Sequence, residues 1–156
     1  MVLSIINNYQ LPVHDIDIQQ LCAQMDQLVF SYMPVVYCLQ TANVLHQLKQ
    51  KGYTVSLLSN TGFIKGQVLR TVLQQLELDV YLDFQLYSDE AGLSKPNTHF
   101  FKMMLNEVYS LNSSIAPAQI IHVGDNPLAD VKGAHQAGIH SQLVNSNNKC
   151  ISSLLN

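Results

Sequence analysis

Asp125 and Asp130 follow directly on the apolar run Ile-Ile-His-Val-Gly at positions 120–124. A strand ending at Gly124 leaves Asp125 at its tip, and Asn126-Pro127 then opens a helix that carries Asp130 one turn in. Two carboxylates meeting at one strand end suit a hard divalent cation such as Mg²⁺. Such an ion takes a few carboxylate oxygens and keeps waters and substrate phosphate. The same residues also have a structural use, with Asn126 as helix cap, Pro127 at the first helical position and Asp130 complementing the helix dipole.

Two other stretches offer matching chemistry. Ser59 and Asn60 end the apolar run at 53–58 and lead through Thr61-Gly62 toward a helical pattern. A hydroxyl and a set of backbone N–H groups in such a loop can cradle an anion, although Asn-Thr-Gly is also an ordinary turn. Lys95, held before Pro96, is a compact cation able to neutralise a phosphoryl oxygen as charge develops; most lysines, by contrast, are simply solvated. Each signal is modest alone. Their order along the chain, each at the end of a strand, is what gives them weight.

The elements that must position these groups can be read from periodicity. Residues 15–33 carry Ile18, Leu21, Cys22, Met25, Leu28, Val29 and Tyr32 at helical spacing, with Asp15 or Asp17 as cap and Pro34 as stop. A second helix is expected over 41–51 with Gly52 ending it, then a strand over 53–58. Val68, Leu69, Val72, Leu73 and Leu76 mark a third helix. A strand over 84–87 leads into a stretch containing Asp89 and Glu90, which at a strand end can help shape a site but read first as a solvated loop. Asn97 caps a helix bearing Phe100, Phe101, Met104, Leu105 and Val108. A strand over 120–123, a helix over 127–136 and a strand over 141–144 complete the alternation, which argues for an α/β domain with a parallel sheet. In such sheets ligands sit beyond the carboxyl ends of the strands.

The totals exclude several classes. With 156 residues, 47% of them hydrophobic and 12% charged, the chain can bury a core and is not disordered. A net charge of −3 with no basic block gives no footprint for nucleic acid or an anionic membrane. No stretch reads as a signal peptide or a membrane span. Cys22, Cys38 and Cys150 are an odd set without C-x-x-C spacing, which reads as three free thiols in a reducing, cytoplasmic setting. The six histidines show no zinc-ligand spacing, and His122, inside a strand pattern, reads as a core residue.

These segments resemble motifs II, III and IV of the haloacid dehalogenase-like (HAD) hydrolase superfamily. Leu57-Leu58-Ser59-Asn60-Thr61 is similar to its second motif, Ser94-Lys95-Pro96-Asn97 to its lysine motif, and His122-Val123-Gly124-Asp125 through Asp130 to its acidic motif. The resemblance implies a Rossmann-like three-layer fold, a parallel sheet with helices on both faces. It divides the chain into a helical cap remnant at 1–33 and a core at 34–156. It further implies phosphate contacts by Ser59, Asn60 and Lys95, with Ser59 and Lys95 acting in catalysis. Mg²⁺ would be held by Asp125 with help from Asp130, and the substrate would be a small phosphorylated metabolite. The acidic pair favours a phosphatase over a dehalogenase.

One part of the pattern has no good counterpart. The family's motif I, a strand running into Asp-x-Asp-x-Thr, supplies the nucleophile. The only candidate, Asp15-Ile16-Asp17, follows a proline-interrupted stretch and opens a helix. Two readings therefore stand: a Mg²⁺-dependent phosphatase whose nucleophile is supplied from elsewhere, and a non-catalytic HAD-like domain serving as an interaction module. In the family the missing strand lies at the sheet centre, between the strand ending at Ser59 and that ending at Gly124. Here those two must pair directly, recruit residues 2–6, or depend on another chain, since exposed edges invite association, with a second copy included.

Overall fold

The computed structural model describes residues 17–155. The first helix, α1, is Ile18–Ser31. Asp17 caps it, its Oδ1 accepting from the N–H groups of Gln19 and Gln20 at 2.9 and 3.0 Å, which satisfies donors that a helix start leaves without partners. Asp15 and residues 2–6 lie outside the described residues. Helix α2, Thr41–Gln50, ends as expected before Gly52, whose φ of +80° is the left-handed geometry that favours glycine.

Strand β1, Ser56–Ser59, runs parallel to β2, Phe84–Tyr87, with Ser56 opposite Phe84 and Ser59 opposite Tyr87. Helix α3, Gly66–Gln75, provides the crossover that a parallel pair requires. The strand expected from residue 53 starts later for a physical reason. The Val55 N–H donates to Asp83 Oδ2 at 2.8 Å rather than to a neighbouring backbone, and Lys49 Nζ grips the same carboxylate at 2.6 and 2.7 Å. The ladder therefore opens at Ser56.

After β2 the chain turns directly into a short helix, α4, Ser88–Ala91, closed by Gly92 at φ +65°. Asp89 and Glu90 are exposed, as expected, but they sit in this helical turn and not in a loop. Helix α5, Thr98–Leu111, begins with the Asn97 side chain accepting from the His99 N–H at 2.9 Å. Strand β3, Ile121–Gly124, runs parallel to β4, His140–Leu143, with Ile121 opposite His140 and Gly124 opposite Leu143. The helix expected between them is divided into a π-helical turn, Pro127–Lys132, and a single α turn, α6, Gly133–Gln136. The last strand ends one residue earlier than expected.

The main core gathers Leu58 of β1, Phe100, Phe101, Met104, Leu105 and Val108 of α5, and Ile120, Ala134 and Ile139. Phe100 and Phe101 are completely buried, each stabilising the fold by roughly 1.5–3 kcal/mol. A smaller cluster joins Val29 of α1 to Val68 and Val72 of α3.

The four described strands form two separate two-stranded sheets, β1–β2 and β3–β4. Direct pairing of β1 with β3, one of the three arrangements considered above, therefore does not occur. Between the pairs lies a cavity of about 880 Å³, lined by Ser56, Leu57 and Leu58 on one side and by residues 120–125 on the other. Side chains alternate between the faces of a strand, so consecutive residues lining a cavity mean that the strand edges face it.

Cys38 and Cys150 form a disulfide with their Cα atoms 6.0 Å apart, and Cys22 is the free cysteine among the described residues. The expectation of three free thiols is thereby corrected: residues distant in sequence meet where the segment before α2 faces the C-terminal turn Ile151–Leu155. None of the described helices is long and apolar enough to cross a membrane.

Candidate active site

The loop after β1, the segment before α5 and the π turn after β3 converge. Asn60 reaches across to the backbone of Lys95, its Nδ2 donating to the Lys95 carbonyl at 2.9 Å and its Oδ1 accepting the Lys95 N–H at 2.7 Å. This paired clamp fixes where the lysine leaves its loop. The Lys95 ammonium then lies 2.7 Å from Asp130 Oδ1, with side chains only 11% and 5% exposed. His122 Nε2 approaches the same oxygen at 2.9 Å, and the Asn126 N–H donates to Oδ2 at 2.9 Å.

Asp130 thus has protein donors on both oxygens, two on Oδ1 and one on Oδ2. Burial pushes its carboxyl up, but hydrogen bonds from His122, Lys95 and the Asn126 N–H more than offset this and hold it far below the usual carboxylate range. Its position depends on the glycine before Asp125, because a Cβ at 124 would overlap the Asp130 carboxyl group. The π turn contributes too. Asn126 caps it, accepting from the N–H groups of Leu128 and Ala129 at 2.9 Å each, and the Val131 N–H reaches back to the Asn126 carbonyl five residues earlier. The cap and the Pro127 position read from the sequence are both present, and π turns are frequent at functional sites.

Asp125, by contrast, is exposed at the tip of β3. Of the two expected metal-binding carboxylates, Asp125 is exposed at the cavity's edge and Asp130 is engaged with Lys95. Among the described residues there is no cluster of three or more His, Cys, Asp or Glu side chains. The donor set is therefore one available carboxylate at an open strand end. That fits Mg²⁺, which binds through one or two carboxylates together with waters and phosphate oxygens, and does not fit a closed protein cage.

The loop after β1 is braced from the other side. The Thr61 N–H donates to Ser88 Oγ at 2.8 Å, the Thr61 hydroxyl to Asp89 Oδ1 at 2.9 Å, and the Gly66 N–H to the Asp89 carboxylate. Arg70 forms a fork with Glu90, stacks over the Tyr87 ring at 4.6 Å, and so ties α3 to α4. Asp89 and Glu90 therefore shape the Ser59-Asn60 loop from behind.

The sequence profile described as "Haloacid dehalogenase-like hydrolase" matches residues 5–144. The chain belongs to this family. It is 37% identical over 76 residues to the Rhythmically expressed gene 2 protein of Drosophila melanogaster, covering 49% of this chain and 28% of that protein. It is 33% identical over 106 residues to the glyceraldehyde 3-phosphate phosphatase of Methanothermobacter thermautotrophicus, covering 68% of this chain and 43% of that one. Among solved structures, a HAD phosphatase from Thermococcus onnurineus superposes with a TM-score of 0.67 at 21% identity, over 91% of this chain and 60% of that chain. That likeness concerns the fold, which is the HAD Rossmann-like α/β arrangement. The chain spans less than half the length of either curated relative named here.

In this HAD-like hydrolase, the residue that sequence reasoning undervalued is His122. It packs edge-on against Phe101, with ring centroids 5.2 Å apart, and also hydrogen-bonds Asp130. The available signal was its place two residues before Gly124, on the strand that carries the acidic motif. Asp17, the remaining candidate nucleophile among the described residues, is occupied as the α1 cap.

Proposed function

We propose that this chain carries the phosphate-handling part of a HAD phosphatase site, acting on a small phosphate ester. The observation that supports this most is the Asn60–Lys95–Asp130 linkage, which holds the lysine at the shared carboxyl end of β1 and β3. In this reading Ser59 and the backbone N–H groups after it receive a phosphate oxygen. Lys95 neutralises the charge that develops in the transition state, while Asp130 and His122 keep the ammonium oriented. Asp125 holds Mg²⁺, which when bound would neutralise phosphate charge and help align it for in-line attack. Phosphatase chemistry also appears in the names of relatives, including the glyceraldehyde 3-phosphate phosphatase above.

The test is titration of the protein with inorganic phosphate in the presence and absence of Mg²⁺, followed by amide NMR. Saturable shifts at Ser59, Asn60 and Lys95 that strengthen with Mg²⁺, and that Lys95→Met abolishes, are expected. Shifts scattered over the surface, or unchanged by Lys95→Met, would rule the reading out.

A second reading has its own support: Asp17, the candidate nucleophile among the described residues, is committed to a helix cap. On that basis the chain is a non-catalytic module that keeps the fold and anion binding. It predicts phosphate binding without turnover.

A further inference from the structure

Cys38 and Cys150 are both half-buried, and neither belongs to the main core around α5. Their neighbours in the chain are open to solvent, with Tyr37 72% exposed, Leu39 91% exposed, and Lys149 exposed as well. A small thiol can reach such a bond, and disulfides placed this way are the labile, regulatory ones, unlike those sealed in a core.

Each cysteine is built into an element that leads elsewhere. The Cys38 carbonyl accepts from the Thr41 N–H at 3.0 Å and from the Thr41 hydroxyl at 2.6 Å, which fixes this residue to the first turn of α2. Cys150 stands between two turns. Its carbonyl accepts the Ser153 N–H at 3.0 Å and opens the C-terminal turn, which packs on α2 and is held to β4 by Gln142 Nε2 donating to Ser153 Oγ at 2.9 Å. On its other side the Lys149 carbonyl accepts the Asn145 N–H at 2.6 Å, and Asn147 Nδ2 donates to the Leu143 carbonyl at 2.8 Å. One residue before Asn145, the Val144 N–H donates to the Gly124 carbonyl at 2.9 Å, and Asp125 follows Gly124. A continuous run of contacts thus leads from the disulfide, through the turn at 145–149, to the carboxyl end of β3. Residues 146–149 are exposed, and hydrogen bonds in exposed turns open readily. The disulfide is the covalent hold on this turn.

We propose that the Cys38–Cys150 pair is a reversible redox strap on the candidate site. Closed, it steadies the carboxyl end of β3 and with it Asp125; open, it lets the 145–149 turn loosen and weakens the hold on phosphate and Mg²⁺. The effect on phosphate rests on the phosphatase reading above, whereas the strap itself does not. The co-reactant is a small thiol–disulfide couple of the glutathione class. A glutathione thiolate attacks one sulfur, the other cysteine departs as a thiolate, and a second glutathione thiolate removes the first from the mixed disulfide. The protein gains two electrons and, with protons from water, two thiols, while two glutathiones become one glutathione disulfide. The reverse sequence closes the strap.

The experiment equilibrates the full chain in mixtures of glutathione and its disulfide, then counts free thiols by alkylation and follows amide exchange and phosphate titration on the same samples. With Cys22 as the baseline, one label is expected in oxidising mixtures and three in reducing ones, returning to one when glutathione disulfide is added back. On opening, exchange at Val144 and Asn145 should quicken on the order of tenfold or more beyond any change at α5. Phosphate affinity in the presence of Mg²⁺ should fall by about fivefold or more. Cys38→Ser and Cys150→Ser should each match the opened parent and ignore the mixture. A label count that is the same in every mixture overturns the strap, as does equal quickening at α5 and at 144–145, which marks a general loosening. Equal phosphate affinity in both states overturns the coupling to the site and leaves the phosphatase reading standing. Absence of phosphate binding in either state, with 144–145 still responding, keeps the strap and overturns the phosphatase reading.

Discussion

The Lys95 ammonium and the Asp130 carboxylate form a nearly dry ion pair at 2.7 Å, joined by His122 on the same oxygen. A pair this buried is costly to break from one side, because the remaining charge keeps its desolvation penalty without its partner. Asp130→Asn is therefore expected to destabilise the fold by about 3–5 kcal/mol. Asp125→Asn, at an exposed position, should stay within about 0.5 kcal/mol of the parent. Urea midpoints at constant m-value check both, and equal effects at the two positions would contradict the distinct roles assigned to them.

The same pair makes stability depend on acid. Asp130 has a folded-state pKa below its unfolded value, so its contribution is fully present above the unfolded carboxylate range, near about pH 4. It is lost progressively as pH falls from there through the folded value, because the unfolded state then binds more protons. Denaturant melts between neutral pH and about pH 2 should show this decline, with a shallower slope in Asp130→Asn. An identical slope in the variant would assign the acid sensitivity to other carboxylates.

Features that depend on a few neighbouring residues were readable from the chain. Asp17, Asn97 and Asn126 cap the helices they precede, and Gly52 and Gly138 take positive φ just past a helix. Features that depend on distant partners were not. Asp130 looks like a second metal ligand in one dimension, and only the meeting of the Lys95 segment with the π turn shows where its oxygens are spent. The start of β1 depends on Asp83, which lies after the whole crossover helix. Four residues of α4 are too few to carry a periodic signal, so Asp89 and Glu90 read as loop although Thr61, Gly66 and Arg70 hold them. Of the three arrangements read from the sequence for β1 and β3, the described strands exclude one, their direct pairing.

Asn60 is expected to matter through its clamp on the Lys95 backbone. Asn60→Ala removes two hydrogen bonds, each worth about 0.5–1.5 kcal/mol net, and releases the loop that aims the ammonium. Phosphate affinity should fall by more than stability does. Asn60→Asp keeps the acceptor for the Lys95 N–H but loses the donor to the Lys95 carbonyl, so it should fall between the parent and Asn60→Ala. Phosphate titrations run beside thermal melts give the comparison, and unchanged affinity in Asn60→Ala would show that the clamp does not set the position of Lys95.

Gly124 is expected to tolerate no side chain. Its space is taken by the Asp130 carboxyl, so Gly124→Ala must displace a buried, ion-paired group or bend β3, at a cost of about 1–3 kcal/mol for overpacking. Gly62→Ala, where no atom lies within 4 Å of the added Cβ, serves as the control. Comparable melting temperatures for the two variants would show that Asp130 can move freely, contrary to its hold by Lys95, His122 and the Asn126 N–H.

The Cys38–Cys150 bond spans 112 residues of chain. Closing so long a loop restricts the unfolded chain strongly, and disulfides typically stabilise by about 2–4 kcal/mol. Reductant is therefore expected to lower the melting temperature of the parent but not of Cys38→Ser, and alkylation before reduction should label Cys22 alone. The bond also joins two segments that line the cavity between the strand pairs, Cys38 with Tyr37 and Ile151 with Leu154. Reduction should accordingly quicken amide exchange at residues 151–155 more than at α5, which the main core holds independently. Because a cytoplasmic setting keeps thiols reduced, alkylation of the protein taken directly from cells decides between the two cysteine states. Labelling of all three cysteines would mean that the chain works in its reduced form, with the two segments that line the cavity no longer tied.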